Sequence, residues 1–119
     1  MLRRRPIVSR WFDVMIISTR LVPRGFSALT LWPLILVRPE FRHDAAMIEH
    51  ELVHFHEQAW ITPIWVARYL LSKRFRLAAE VRAYRRQIEV GGISIEGAAR
   101  MLLCYRLNIN YDQALAALK

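Results

Sequence analysis

"HELVH", residues His50 to His54 of the 119-residue chain, is the stretch on which the reading of the fold turns. On a helix these two histidines leave the same face, so their imidazoles can converge on one cation. Glu51 lies about 100° round the helix from His50. From there it can act on a water molecule at the cation without being a ligand itself. Two imidazole ligands and one carboxylate base are the mechanical content of the HExxH pattern. The competing reading is an ordinary helix carrying two histidines, and a third ligand elsewhere in the chain has to decide between them.

Working outward, Asp44 is a suitable N-cap for a helix over about Ala45 to Trp60, with the motif in its middle. "ITP" at Ile61 to Pro63 interrupts the helical pattern and "IWVARYLL" resumes it. A further helix is expected from about Phe75 to Val90, closed by Gly91 and Gly92. Ser94 starts another, and Asn110 with Gln113 forms an amide variant of the capping box before the last. Upstream, "WFDVMIIST" (Trp11 to Thr19) reads as a strand. A second extended run spans Ser27 to Val37, and Pro33 within it, lacking an N–H, marks an edge strand or a bulge. Strands followed by helices give an α+β class within one domain over 1–119. Residues 1–42 are mainly strand, 43–90 hold the histidine helix and its successors, and 91–119 form a helical tail.

A catalytic site of this type needs a third protein ligand. The residue that would be histidine in a metzincin, or aspartate in a related arrangement, is Trp60, which excludes both. A glutamate from a following helix is the remaining common solution. Glu57 lies too far along the same helix, and Glu89 is a fallback at a fraying helix end. Glu80, in "RLAAEVRAYRR", is better placed, because the break at Pro63 lets the chain reverse and the two helices pack together. Ala83 and Tyr84 follow it at i+3 and i+4 on one face. Tyr84 is a candidate oxyanion donor through its hydroxyl. Trp60, Trp65 and Tyr69 read as core, His43 as a surface residue, and His56 as turned away from the histidine pair.

His50-Glu51-Leu52-Val53-His54, followed by Glu80-Val81-Arg82-Ala83-Tyr84, resembles the gluzincin pattern of HExxH with a later helical glutamate. "ALTLWPLILV" is similar to the strand preceding the motif in short zincin-like proteins of phages and bacteria. The resemblance covers about Gly25 to Gln87. It implies a zincin-like fold, one zinc ion held by His50, His54 and Glu80, and Glu51 as general base in peptide-bond hydrolysis. It also implies an extended peptide or protein substrate paired along the edge strand 27–37. The chain lacks the second lobe that forms a deep cleft in larger gluzincins, and residues after Gly91 lie outside the resemblance.

Charge supplies an alternative. The net charge is +8, and basic residues cluster at Arg3, Arg4 and Arg5 and again over Lys73, Arg74, Arg76, Arg82, Arg85 and Arg86. A catalytically inactive zincin-like module whose basic surface binds nucleic acid or an acidic protein is the second reading. With a single cysteine, Cys104, there is no disulfide framework or thiolate cluster, and its apolar surroundings "MLLCYRL" predict a buried side chain. The basic start is followed by an apolar stretch broken by Arg10, Asp13 and Arg20, which does not read as a signal peptide. The longest uncharged run, Gly25 to Val37, is too short to cross a bilayer, so a cytoplasmic protein without a membrane span is expected.

Overall fold

A computed structural model describes the backbone of residues 2–5 and 14–119 and the side chains of 15–119. The side chains of Arg3, Arg4 and Arg5, Trp11, and the part of the first expected strand before Val14 lie outside the described residues. The fold is α+β, with a four-stranded sheet followed by helices. Strands β1 (Leu2–Arg5), β2 (Val14–Ser18), β3 (Ala28–Leu31) and β4 (Leu34–Val37) stand in the order β1-β2-β4-β3. β2 and β4 are parallel, and the other two pairings are antiparallel.

The single edge strand expected over Ser27 to Val37 is instead a tight hairpin. The chain reverses at Trp32 and Pro33, pairing Leu31 with Leu34. Proline, without a donor and with φ already set, fits the turn and leaves both arms free to pair. Of the two arms, β3 lies at the sheet edge and β4 is interior. Ala28 and Thr30 face inward from β3, and Leu29 and Leu31 face outward. Gln58 ties the hairpin to the following helix: its buried side chain accepts from Trp32 N–H and donates to the Thr30 carbonyl, both at 2.8 Å.

Helix α1 (Ala45–Gln58) is capped by Asp44, whose carboxylate accepts from Met47 N–H. It ends two residues before the expected Trp60. Ala59 takes a positive φ of 32° and the chain turns through a 3₁₀ segment, Ala59–Ile61, into α2 (Thr62–Leu71), with Pro63 in its first turn. Trp60 is 80% exposed rather than core, because it falls on this turn and not on the buried face of α1. Trp65 and Tyr69 do point inward.

Helix α3 (Lys73–Glu89) is capped by Ser72 and closed at Gly91 and Gly92. Gly91 adopts φ 81° and donates to the Ile88 carbonyl, while Gly92 donates to that of Gln87. This is the paired closure of a Schellman motif. A Cβ on Gly92 would lie 1.9 Å from Ala46 Cβ, so glycine is what lets the end of α3 approach the start of α1. α1 and α3 run antiparallel: Glu49 pairs with Arg86, His50 with Gln87, and Glu57 with Arg82. Fully buried Ala79 and Ala83 admit this close packing.

Two apolar clusters flank that helix pair. Ile16, Ile35, Val37, Ile48, Leu52 and Phe55 join the sheet to α1. Tyr84, Ala98, Ala99, Leu102, Leu107 and Leu118 join α3 to α4 (Ile95–Leu102) and α5 (Tyr111–Leu118). Both caps expected at Ser94 and Asn110 are formed, the latter as a full capping box. α4 gives way to a 3₁₀ turn at Leu103–Tyr105, which rotates the chain and leaves Cys104 exposed, not buried as its neighbours implied.

Candidate metal centre

Between the two clusters, three side chains that strand and helix chemistry alone would keep polar and wet are brought together out of water. His50 and His54 come from the buried face of α1 and Glu80 from that of α3, and each is at most 5% exposed. One ligand atom from each lies within 4.8 Å of the others. His50 Nε2 is 3.1 Å from Glu80 Oε1, and His54 Nε2 is 3.2 Å from Glu80 Oε2. The two imidazoles of the motif therefore do face one point, and the downstream glutamate that meets them is Glu80. Glu89 is exposed and pairs with Arg86, and Glu57 pairs with Arg82 at 2.5 Å.

The surrounding contacts orient each donor. Gln87 Oε1 accepts from Nδ1–H of His50 at 3.0 Å, which turns Nε2 toward Glu80 Oε1. Tyr69 donates its hydroxyl to Glu80 Oε2 at 2.5 Å. Thr30, from β3, donates to Glu51 Oε1 at 2.7 Å, while Glu51 Oε2 stands 3.9 Å from His50 Nε2. His54 packs between His50 and Trp65, with ring centroids at 5.1 and 5.5 Å. Tyr84 lies edge-on to His50 at 4.3 Å, and its hydroxyl meets that of Tyr105 at 3.0 Å. Its phenol thus sits beside the donors, not on the carboxylate. His43 and His56 are exposed and take no part.

Gln87, Tyr69, Thr30 and Tyr105 were not among the candidates from sequence. Gln87 follows Glu80 by seven residues, so two helical turns bring it to the same face, a spacing that a search for ligand partners along α3 would have caught. Thr30 and Tyr105 carry no such local signal.

Two features show that the site suits a divalent cation. Both ring nitrogens of buried His54 lack a hydrogen-bond partner among the described residues. Nε2 faces Glu80 Oε2 at 3.2 Å, and an ion held between them would give this buried nitrogen a partner of good geometry. Glu51 and Glu80 also place two buried carboxylates against two imidazoles, and a dication balances both charges without protonating either ring. Burial opposes charge on His54, but the Glu80 carboxylate, assisted by Glu57 and Glu51, raises its pKa to about 10. Although burial works against it, ionised Glu80 is held well below the usual carboxylate range by His54 and His50. Burial and then the Glu80 charge push Tyr69 upward. Tyr84 is likewise raised, by burial, against its bond to Tyr105. Both phenols remain neutral donors.

The site opens on two cavities. One, of about 200 Å³, is lined by His50, Glu51, Tyr84, Gln87 and Tyr105, with part of the 91–119 segment as its outer wall. The other, of about 190 Å³, is lined by Glu51, His54 and Glu80 together with apolar Leu29, Leu31 and Trp65. Glu51 borders both. Phe26 and Tyr105, in edge contact at 5.8 Å, stand between them.

Much of the second basic cluster is internally engaged. Arg82 and Arg86 pair with Glu57, Glu49 and Glu89, Arg76 donates to backbone carbonyls of Tyr69, Tyr105 and Arg106, and Arg85 donates to those of Ala117, Leu118 and Lys119. No helix among the described residues is long and apolar enough to cross a membrane. Comparison of the chain with protein-family models, curated proteins and solved structures found no match.

Proposed function

We propose that the protein is a zinc-dependent metallopeptidase of gluzincin type. The observation that carries this reading is the buried convergence of His50, His54 and Glu80 beside Glu51, at the point where two cavities meet. His50 and His54 would hold the ion through Nε2 and Glu80 through a carboxylate oxygen. When bound there, zinc supplies Lewis-acid polarisation of a carbonyl and of a water molecule.

The remaining steps fall to the chain's own groups. Thr30 fixes one oxygen of Glu51 and leaves the other turned toward His50. That free oxygen takes a proton from the attacking water and returns it to the leaving amine. Gln87 and Tyr69 keep His50 and Glu80 in register. Tyr84 and Tyr105 line the first cavity, and since one hydroxyl donates to the other, the accepting one is left as a neutral donor for charge developing on the substrate oxygen. Among the described residues β3 has no strand partner on its outer side, so an extended peptide can pair there, along Ala28–Leu31 rather than the whole of 27–37. The alternative of an inactive module binding nucleic acid or an acidic protein draws less support, since Arg76, Arg82, Arg85 and Arg86 are already engaged.

Glu51→Gln tests the proposal. The variant should retain one equivalent of zinc and lose cleavage of a peptide library that the wild type cuts. Retained cleavage would remove Glu51 from its role, and a zinc-loaded wild type that cuts nothing would favour the inactive module.

A further inference from the structure

Helix α2 is apolar on both faces, yet it is buried on only one. Trp65, Val66 and Tyr69 turn inward and line the second cavity. On the opposite side Ile64 is 61% exposed and Leu71 87%, and the preceding turn adds Ile61 at 52% and Trp60 at 80%, the latter with its ring 4.8 Å from that of Trp32. Helical spacing puts Ile64, Ala67 and Leu71 on one stripe, with Arg68 beside it. A helix that is hydrophobic all round is ordinarily covered on all sides, and an exposed apolar patch with a polar rim marks an interaction surface.

The chemistry of the rim and the shape of the face identify the partner. The chain passes from Leu71 through Ser72 directly to Lys73 and Arg74, both exposed, and Arg68 is exposed as well, with its guanidinium over the Phe75 ring at 4.5 Å. The whole protein carries +8. A second copy would bring another surface of the same net positive charge against this one, which electrostatics opposes. Trp60, Ile61, Ile64 and Leu71 line neither of the two cavities, so this face offers no groove of the kind in which a partner helix seats. A bilayer needs no groove. Aliphatic side chains enter the acyl boundary, a tryptophan sits at headgroup level, and flanking Lys and Arg meet anionic lipid.

We infer that the exposed face of α2 seats the protein on an anionic membrane surface, with Trp60, Ile61, Ile64 and Leu71 inserted and Arg68, Lys73 and Arg74 on the headgroups. This docking is peripheral and independent of the metal centre. Since the inner face of α2 walls the second cavity, docking would hold that cavity close to the bilayer.

Flotation of the full chain with phosphatidylcholine vesicles, with and without phosphatidylglycerol, tests it. Each basic side chain near an anionic surface strengthens binding roughly fivefold, so the three together should favour the anionic vesicles by roughly a hundredfold at low salt. Ile64→Ser with Leu71→Ser changes only exposed positions and should weaken binding at least tenfold. Lys73→Glu with Arg74→Glu should abolish the preference for phosphatidylglycerol. Tryptophan emission should shift to the blue on binding, and Trp60→Phe should remove most of that shift. No binding to anionic vesicles, or binding indifferent to the Ile64 and Leu71 substitutions, would overturn the inference. So would a dimer broken by those substitutions, which would assign the face to a second copy. Saturable binding of an acidic amphipathic peptide without vesicle binding would assign it to a protein partner.

Discussion

Replacing Glu80 with glutamine removes the charge of the third donor while keeping its shape. The side chain is 2% exposed, stands within 3.2 Å of an Nε2 on each histidine, and accepts the Tyr69 hydroxyl. Protein zinc sites with four ligands bind with about 10–16 kcal/mol at neutral pH. One ligand of four accounts for about 2.5–4 kcal/mol, or roughly two to three decades of affinity. Competition against a chromogenic zinc chelator should show that loss, with wild type and variant titrated side by side. In chelator the effect runs through the apo protein, where the substitution strips protonated His54 of its counter-charge. Breaking a buried pair costs about 3–5 kcal/mol. His54 can shed its proton in response, which places the cost toward the lower end. The melting temperature in chelator should then fall by roughly 10 °C or more. A variant that binds one equivalent of zinc as tightly as the wild type would refute Glu80 as a ligand, and with it the geometry on which the proposed function stands.

Gln87→Met should leave His50 free to rotate and lower zinc affinity roughly 10- to 100-fold, with little change in fold by circular dichroism; an unchanged affinity would show that the Gln87 bond does not orient the ring. The metal-free protein should depend on pH through His54. Its folded pKa of about 10 lies above the ordinary 6.5, so its contribution to stability is complete below pH 6.5 and is lost as pH rises toward 10. Glu80 acts in the opposite sense, contributing above the ordinary carboxylate value of 4.5 and losing that contribution in acid. Because zinc must displace the His54 proton, affinity should rise about tenfold per pH unit between roughly pH 7 and 9. Calorimetry in two buffers of different ionisation enthalpy should register about one proton released; none released would place His54 unprotonated. Gly92→Ala should destabilise by about 2–3 kcal/mol in urea, because its Cβ meets Ala46, and Ala46→Gly should recover part of the loss. A neutral Gly92→Ala would show that the α1–α3 approach tolerates a methyl group.

The parts of this protein that were legible along the chain are those governed within a few residues. Asp44, Ser94 and Asn110 cap because a short polar side chain reaches an amide three residues on, whatever the rest of the fold does. His50 and His54 share a face because a helix repeats every 3.6 residues. Glu80 could be singled out from the reversal at Pro63 and the small residue beside it. Tertiary packing decided the rest. Whether Pro33 interrupts a strand or turns a hairpin depends on which neighbours the two arms find, and Trp60 and Cys104 are exposed because short 3₁₀ turns rotate them off the faces their sequence neighbours occupy. Thr30 reaches Glu51, Gln87 reaches His50, and Tyr69 reaches Glu80 only once the sheet, α1, α2 and α3 have set their mutual registers. A helical or strand period states which way a side chain points, and only the packed core states what it meets there.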